Sequence, residues 1–226
     1  MNTFMTTTNK KIESAAASEE VSPDTEGLLL ERLHNSTNEE DYFRWMLFVV
    51  GFYRGINKTG AATELLEGFI KATKDSEQSA HCHLALGQIA TDEQRLEAAL
   101  KHFSTALELG PQKQKVSYVL HNNIAYCLNQ LRRFIDGEEH CRMAIKIDWT
   151  RASAYRNLGL SLQGQGKIVD AAWALVEAMK LDSADNRARG ILQKLIAQNP
   201  DMVVQHPWIT QSLYPDSQGV ADLPLM

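Results

Sequence analysis

From about Tyr42 to about Asn199 the hydrophobic and polar positions follow a helical period. No run alternates convincingly every second residue, and proline is absent between Pro23 and Pro111. The pattern predicts helix after helix, each roughly 12 to 17 residues long. Turn residues punctuate it at short intervals, at 55–60, 75–76, 91–92, 110–111, 132–133, 164–166 and 183–185. Short connections between similar helices imply antiparallel neighbours. Upstream, Ser22 as N-cap and Pro23 at the first helical position, followed by Asp24 and Glu26, predict a helix running to about Leu33. A capping box for the next helix is offered by Ser36 with Glu39 or by Thr37 with Glu40.

The helices also repeat. "LALGQIA" at 84, "NNIAYCL" at 122 and "RNLGLSL" at 156 occupy equivalent places, and each is followed by a second helix with matched small residues: "AALKHFSTALEL", "GEEHCRMAIKI" and "AAWALVEAMKL". Gly159 follows Ala125 by 34 residues and Ala125 follows Gly87 by 38, with "QKQK" absorbing the surplus. Two helices approach to about 8–10 Å only where the contact residues are small. Gly87, Ala125 and Gly159 supply that in the first helices; Ala99, Gly137 and Ala171, with Ala106, Ala144 and Ala178, supply it in the second.

This arrangement resembles the tetratricopeptide repeat, a helix–turn–helix unit of about 34 residues with small residues at fixed columns. His83, Leu86, Gly87, Ala90, Ala99, Phe103, Ala106 and Pro111 fill those columns in the first clear unit. Trp149 and Ser183 stand in the proline column of the next two. The resemblance implies an all-α fold, a short solenoid closed by a capping helix. The expected organisation is an arm at 1–21 lacking structure, an N-terminal helix and linker at 22–41, and a solenoid at 42–199. Within the solenoid the units are 42–75, 80–113, 118–151 and 152–185, with the capping helix at 186–199. Unit 42–75 is degenerate: Val49 stands where glycine is preferred, although Ala61 fits. Its first helix, "YFRWMLFVVGFY", is apolar all round and is expected to be buried on all sides. "LLLERL" at 28–33 or a second copy of the chain, making a homodimer through the N-terminal region, would cover it. The tail at 200–226 carries Pro200, Pro207, Pro215 and Pro224, so it is not helical throughout. With Trp208, Ile209, Leu213 and Tyr214 it is expected to lie along the solenoid, either packed on its surface or partly in the groove as a self-ligand.

Charge narrows the partners. The net charge is −5, and residues 1–40 alone, with three basic and eight acidic residues, account for all of it. The remaining body is neutral and shows no basic stripe, which argues against nucleic acid. Three scattered cysteines, Cys82, Cys127 and Cys141, do not make a disulfide framework, and an odd number suits a reducing compartment. No secretory h-region opens the sequence, and "WMLFVVGFY" at 45–53 is far short of the roughly 20 apolar residues that span a bilayer. The expected location is cytoplasmic, without membrane contact.

Candidate chemistry is sparse. His81, Cys82 and His83 look like a ligand cluster, but on a helix side chains two apart diverge by about 200°, so the two histidines do not share an ion. No metal or cofactor is expected. The pairs Glu39–Glu40 and Glu138–Glu139 read as solvated helix surface, and no phosphate loop or nucleophile constellation is present. The resemblance implies instead a concave surface, lined by the first helix of each unit, that binds extended peptides. The binding residues it implies are Gln88, Asn122, Asn123, Tyr126, Asn129, Arg156 and Asn157. Asn123 and Asn157 share one column, and an amide carries both a donor and an acceptor for a peptide backbone. The carboxylate clamp known in this family is not carried over, because Leu84, Gln88, Ser153 and Asn157 replace four of its residues. The expected function is non-catalytic: an adaptor or chaperone-like module holding a segment of a protein partner. The alternative is a structural subunit of a larger assembly. In architecture the chain is similar to the cytoplasmic chaperones of type III secretion translocators.

Overall fold

The computed structural model describes residues 23–184 and 186–213. The arm at 1–21, the Ser22 cap and the tail from Tyr214 onward lie outside the described residues. Among the described residues there are twelve helices and no strand. In chain order they are α1 (Pro23–His34), α2 (Glu39–Gly55), α3 (Thr59–Ala72), α4 (Ser76–Asp92), α5 (Leu96–Glu108), α6 (Gln114–Gln130), α7 (Phe134–Ile147), α8 (Ala152–Gly164), α9 (Ile168–Leu181), α10 (Asn186–Gln198), α11 (Pro200–Gln205) and α12 (Trp208–Leu213). The chain divides into two compact units, Met1–Pro111 and Gln112–Met226.

In the first unit each helix from α1 to α5 packs on the next. Leu29 and Leu33 of α1 join Met46, Val49 and Val50 of α2 and Leu66 and Phe69 of α3 in one core. The cover for α2 therefore comes from this chain. It is incomplete, because Phe43, Trp45, Leu47 and Phe48 of α2 stay only partly buried; α1 turns its i and i+4 leucines inward and leaves Leu28 53% and Leu30 39% exposed. Tyr42 is exposed as well. The expectation that α2 is buried on all sides is corrected accordingly. The helix is capped by Asn38, whose side chain accepts from the Asp41 N–H at 2.8 Å, so neither expected capping box forms. Ser36 instead donates its hydroxyl to the Arg32 carbonyl at 3.1 Å.

In the second unit α6 packs on α7, α7 on α8 and α8 on α9, while α10 and α12 close the exposed side of α9. Leu158, Leu162, Leu175, Leu192 and Leu195 form its core, and Met202, Ile209 and Leu213 of the tail are buried in the same cluster. Pro200 opens α11 and Pro207 directly precedes α12, positions where no backbone N–H is required. Arg189 of α10 donates to the Leu213 carbonyl at 2.8 Å and fixes the end of the described tail.

Two features show why this sequence makes helix pairs. The first is close approach. A Cβ at Gly159 would stand 2.7 Å from Leu175 Cγ, and one at Gly87 would enter the ring of Phe103. Only glycine lets α8 meet α9, and α4 meet α5, at this spacing. The second is the turn. Asn57, Gln94, Arg132 and Gly166 have φ of 59°, 59°, 61° and 77°. In each case the following N–H reaches back across the helix end: Lys58 to Tyr53, Arg95 to Ala90, Arg133 to Leu128 and Lys167 to Leu162, all at 2.8–2.9 Å. Their own N–H groups bond to Arg54, Thr91, Asn129 and Gln163. This is the Schellman stop, four times over. Unit 42–75, whose small columns are poor, carries the same turn as its companions.

Candidate functional site

The amides expected to face a ligand divide into two groups. Asn129 and Asn157 are buried, at 8% and 4% exposure. Asn157 Nδ2 donates to Oδ1 of Asn122 at 3.1 Å, with a longer bond to the Asn122 carbonyl. Asn129 Nδ2 donates to the Asn157 carbonyl at 2.9 Å, and its Oδ1 accepts from Ser161 Oγ at 2.7 Å. Ser161 is fully buried, and Cys141 Sγ lies 3.8 Å from its hydroxyl. These groups clip α6 to α8, because a buried polar group must find its partners inside the protein. Asn122, Asn123, Tyr126 and Arg156 remain partly exposed. Gln88 belongs to the other compact unit, where it accepts from Arg54 at 2.8 Å; the same guanidinium reaches Asp92 at 2.6 Å.

A cleft of about 490 Å³ opens where α6, α8 and α10 meet. Tyr118 and Asn122 come from α6, Ser153 and Arg156 from α8, and Arg187 from α10. Arg151, just before α8, and Asp182, just after α9, line it as well. Tyr118 Oη and Ser153 Oγ share a hydrogen bond at 2.8 Å. The Arg151 guanidinium stacks 4.6 Å above the Tyr118 ring, with Asp148 3.5 Å from its Nε. Burial raises the Tyr118 pKa, so the hydroxyl keeps its proton. Residues 200–213 do not line this cleft; Met202, Ile209 and Leu213 pack instead in the core of the second unit, as the surface-packed alternative for the tail has it. Asn123 and Tyr126 do not line it either. Arg151 and Arg187 do, although they fall outside the repeat columns used to anticipate the site.

No family model matches the chain. Solved structures resemble it in fold. MamA from Desulfovibrio magneticus RS-1 is 15% identical, with a TM-score of 0.59 over 78% of this chain and 97% of that one. YrrB, described as a TPR protein with an unusual peptide-binding site, is 14% identical, with a TM-score of 0.58 over 81% and 90%. The Hsp90 co-chaperone Cns1 from Saccharomyces cerevisiae is 16% identical, with a TM-score of 0.55 over 62% and 45%. This chain has the tetratricopeptide-repeat fold. A curated relative, UDP-N-acetylglucosamine 1-carboxyvinyltransferase of Halorhodospira halophila, is 25% identical over 158 residues. The chain spans 37% of that enzyme's length.

In tetratricopeptide terms α2, α4, α6 and α8 are first helices, and α3, α5, α7 and α9 are their partners. Two of these pairs hold facing histidines. His83 and His102 bring their Nδ1 atoms to 3.2 Å, and His121 and His140 to 3.0 Å. Ring centroids lie 5.5 and 5.1 Å apart, so each pair of rings meets nearly end on. That is the geometry of an N–H···N hydrogen bond. Burial lowers the pKa of all four rings; for His121, with His140 adding to the effect, it falls to about 4. In the last pair Tyr155 takes the place of His83 and His121 and meets Trp173 edge to face, Trp173 standing one position before the column of His102 and His140. His81 turns away from His83, toward Glu77 at 3.7 Å. Among the described residues no group of three metal-ligating side chains comes together.

Glu138 corrects the expectation of a solvated pair. Burial alone would raise its pKa, but bonds from Arg142 at 2.7 Å, Gln165 at 2.8 Å and Lys167 at 3.0 Å hold it down to about 2. The carboxylate thereby ties α7 to the turn between α8 and α9. All three cysteines are buried free thiols. No described helix is long and apolar enough to cross a membrane.

Proposed function

We propose that this chain is a non-catalytic binding module that holds a peptide segment of a partner protein on the first-helix face of its second unit. The observation that carries the reading is the cleft between α6, α8 and α10. Alternate helices line it with amide, hydroxyl and guanidinium groups that pair with a peptide and have no base–nucleophile arrangement among the described residues. Asn122 and Arg156 contact the ligand in the cleft, and Asn123 and Tyr126 extend the surface along α6. Asn129 and Asn157 act indirectly, by holding α6 against α8. The description of YrrB as peptide-binding and of Cns1 as a co-chaperone supports this class of role. Three buried free thiols support a reducing, cytoplasmic setting, and a body without a basic stripe supports a protein partner over nucleic acid.

The test is capture from native extract with wild type beside an Asn122→Ala/Tyr126→Ala/Arg156→Glu variant, with circular dichroism to show that the variant is folded. A partner retained by wild type and lost by the folded variant supports the reading; equal retention overturns it. A structural subunit is the second reading, and the exposed Leu28, Leu30 and Tyr42 of the first unit favour it. Sedimentation over a hundredfold range of concentration separates the two, since a self-associating subunit gains mass and the module does not.

A further inference from the structure

We infer that a second cleft, in the first unit beside the start of α2, binds an arginine side chain of a partner segment, with Glu39 as its carboxylate anchor and Tyr42 as its stacking platform. This site is separate from the cleft in the second unit and does not depend on the peptide-binding reading of it.

The cleft measures about 530 Å³ and opens where the α1–α2 connection and the first turn of α2 face the last turns of α3. All of its lining lies within the first unit. Gly68 and Ala72, one turn apart on α3, make its floor, and a Cβ added at Gly68 would meet nothing within 4 Å. The floor therefore has space for the aliphatic stem of a long side chain. Tyr42 and Phe69 form a wall, their rings nearly parallel at 11° with centroids 6.1 Å apart. Phe43 packs on Phe69 in turn at 5.2 Å, which steadies the pair, and Tyr42 keeps 37% exposure. Glu39 is the one charged residue of the described lining. Thr73 places its hydroxyl 3.0 Å from a Glu39 oxygen and 3.1 Å from the Gln78 side-chain oxygen, which holds the carboxylate at the end of α3. A carboxylate has about four acceptor sites, so one such contact does not exhaust it. The field has the same sign. The positive end of α2 is answered by its own Glu39, Glu40 and Asp41, and α3 finishes here with its negative end. Lys71, in that last turn, does not line the cleft. Residues 23–111 carry 14 acidic and 8 basic residues, which favours a cation at longer range as well. Arginine fits each feature: its planar guanidinium stacks on an aromatic face, meets a carboxylate in two parallel bonds and sheds hydration more readily than an ammonium. Ser36 and Thr37 add hydroxyl partners for the backbone on either side of it.

The test uses the full chain, labelled with nitrogen-15, and two probes at equal ionic strength. One is the acetylated and amidated peptide Ser-Gly-Arg-Gly-Ser; the other has citrulline, which keeps the shape of arginine without its charge. The arginine peptide is expected to shift the backbone amides of Asn38, Gly68 and Thr73 saturably, with a Kd of about 1–10 mM. The citrulline peptide binds at least about tenfold more weakly, and Glu39→Gln weakens the arginine peptide to the same degree. Tyr42→Phe keeps the binding, and Tyr42→Leu loses about two- to fivefold. Gly68→Leu, which fills the cleft and leaves Glu39 and Tyr42 in place, abolishes the shifts. Glu177→Gln, which removes a carboxylate from the second unit, leaves them unchanged. Circular dichroism shows that each variant is folded. Equal binding of the two peptides overturns the inference, as does full binding to folded Glu39→Gln or Gly68→Leu. Silence at the three amides with both probes overturns it too. None of these outcomes touches the capture experiment, which reads the second unit.

Discussion

Three of the four helix-ending turns place a side chain where glycine is favoured. Asn57, Gln94 and Arg132 hold φ near 60°, and Gly166 holds 77°. An L-residue there brings Cβ against the following carbonyl at a cost of about 1–2 kcal/mol, partly offset because glycine is more disordered when unfolded. Gln94→Gly and Arg132→Gly are therefore expected to stabilise the fold by up to about 1 kcal/mol each. Gly166→Ala is expected to destabilise it by about 1 kcal/mol. Urea unfolding of the single variants checks the signs; a uniform loss would show that the side chains of Gln94 and Arg132 contribute more than the strain costs. These turns were only partly legible in the sequence, because glycine marks just one of them. A subtler signal was present: the residue after each is basic, Lys58, Arg95, Arg133 and Lys167. The small contact residues were legible for the opposite reason. Gly87 and Gly159 have no alternative at their spacing, so they recur in register.

At the scale of the helix pair, the histidines give the fold a dependence on acid. Burial depresses the folded pKa of His121 to about 4 from an ordinary 6.5, and lowers His140 as well. His140 also lies near Glu139 and Asp136, which favour its charged form. A base with a depressed folded pKa takes up its proton more readily when unfolded. The stability is therefore fully present above pH 6.5 and is lost as the pH falls toward 4. His121→Phe/His140→Phe is expected to flatten the second unit's unfolding midpoint between pH 7 and pH 5, with Glu138, bonded down to about 2, contributing only below that range. An unchanged pH slope would remove the pair from this role. The sequence did not show the partner of His140, because the pairing spans 19 residues and two helices. Asn129 was expected to face a ligand, and its bond with Ser161 escaped notice for the same reason: a repeat template compares like positions, and this contact joins unlike ones. Arg151 and Arg187 lie just outside the columns the template treats as lining.

At the scale of the whole molecule, each compact unit has its own apolar core, and the described tail belongs to the second. Met202, Ile209 and Leu213 are 6%, 0% and 3% exposed. Ending the chain after Asn199 uncovers the groups they bury, which are worth about 1.5–3 kcal/mol per side chain before ordering entropy is subtracted. Amide exchange at Leu192 and Leu195 of α10 should accelerate by at least about tenfold in that truncation, while α2 and α3 in the first unit keep their protection. Unchanged exchange in α10 would show that the tail is not part of its closure. The buried clip between α6 and α8 has a different consequence, for anyone wishing to rebuild this protein from interchangeable parts. Asn129 in one repeat is matched to Ser161 and the Asn157 carbonyl in the next, so these two repeats form a keyed couple rather than standard cassettes. A consensus repeat spliced in place of 152–185 would still offer the backbone carbonyl at 157 but would lose the Ser161 hydroxyl, leaving Asn129 Oδ1 without its donor in the interior, so a working graft has to carry both halves of the key.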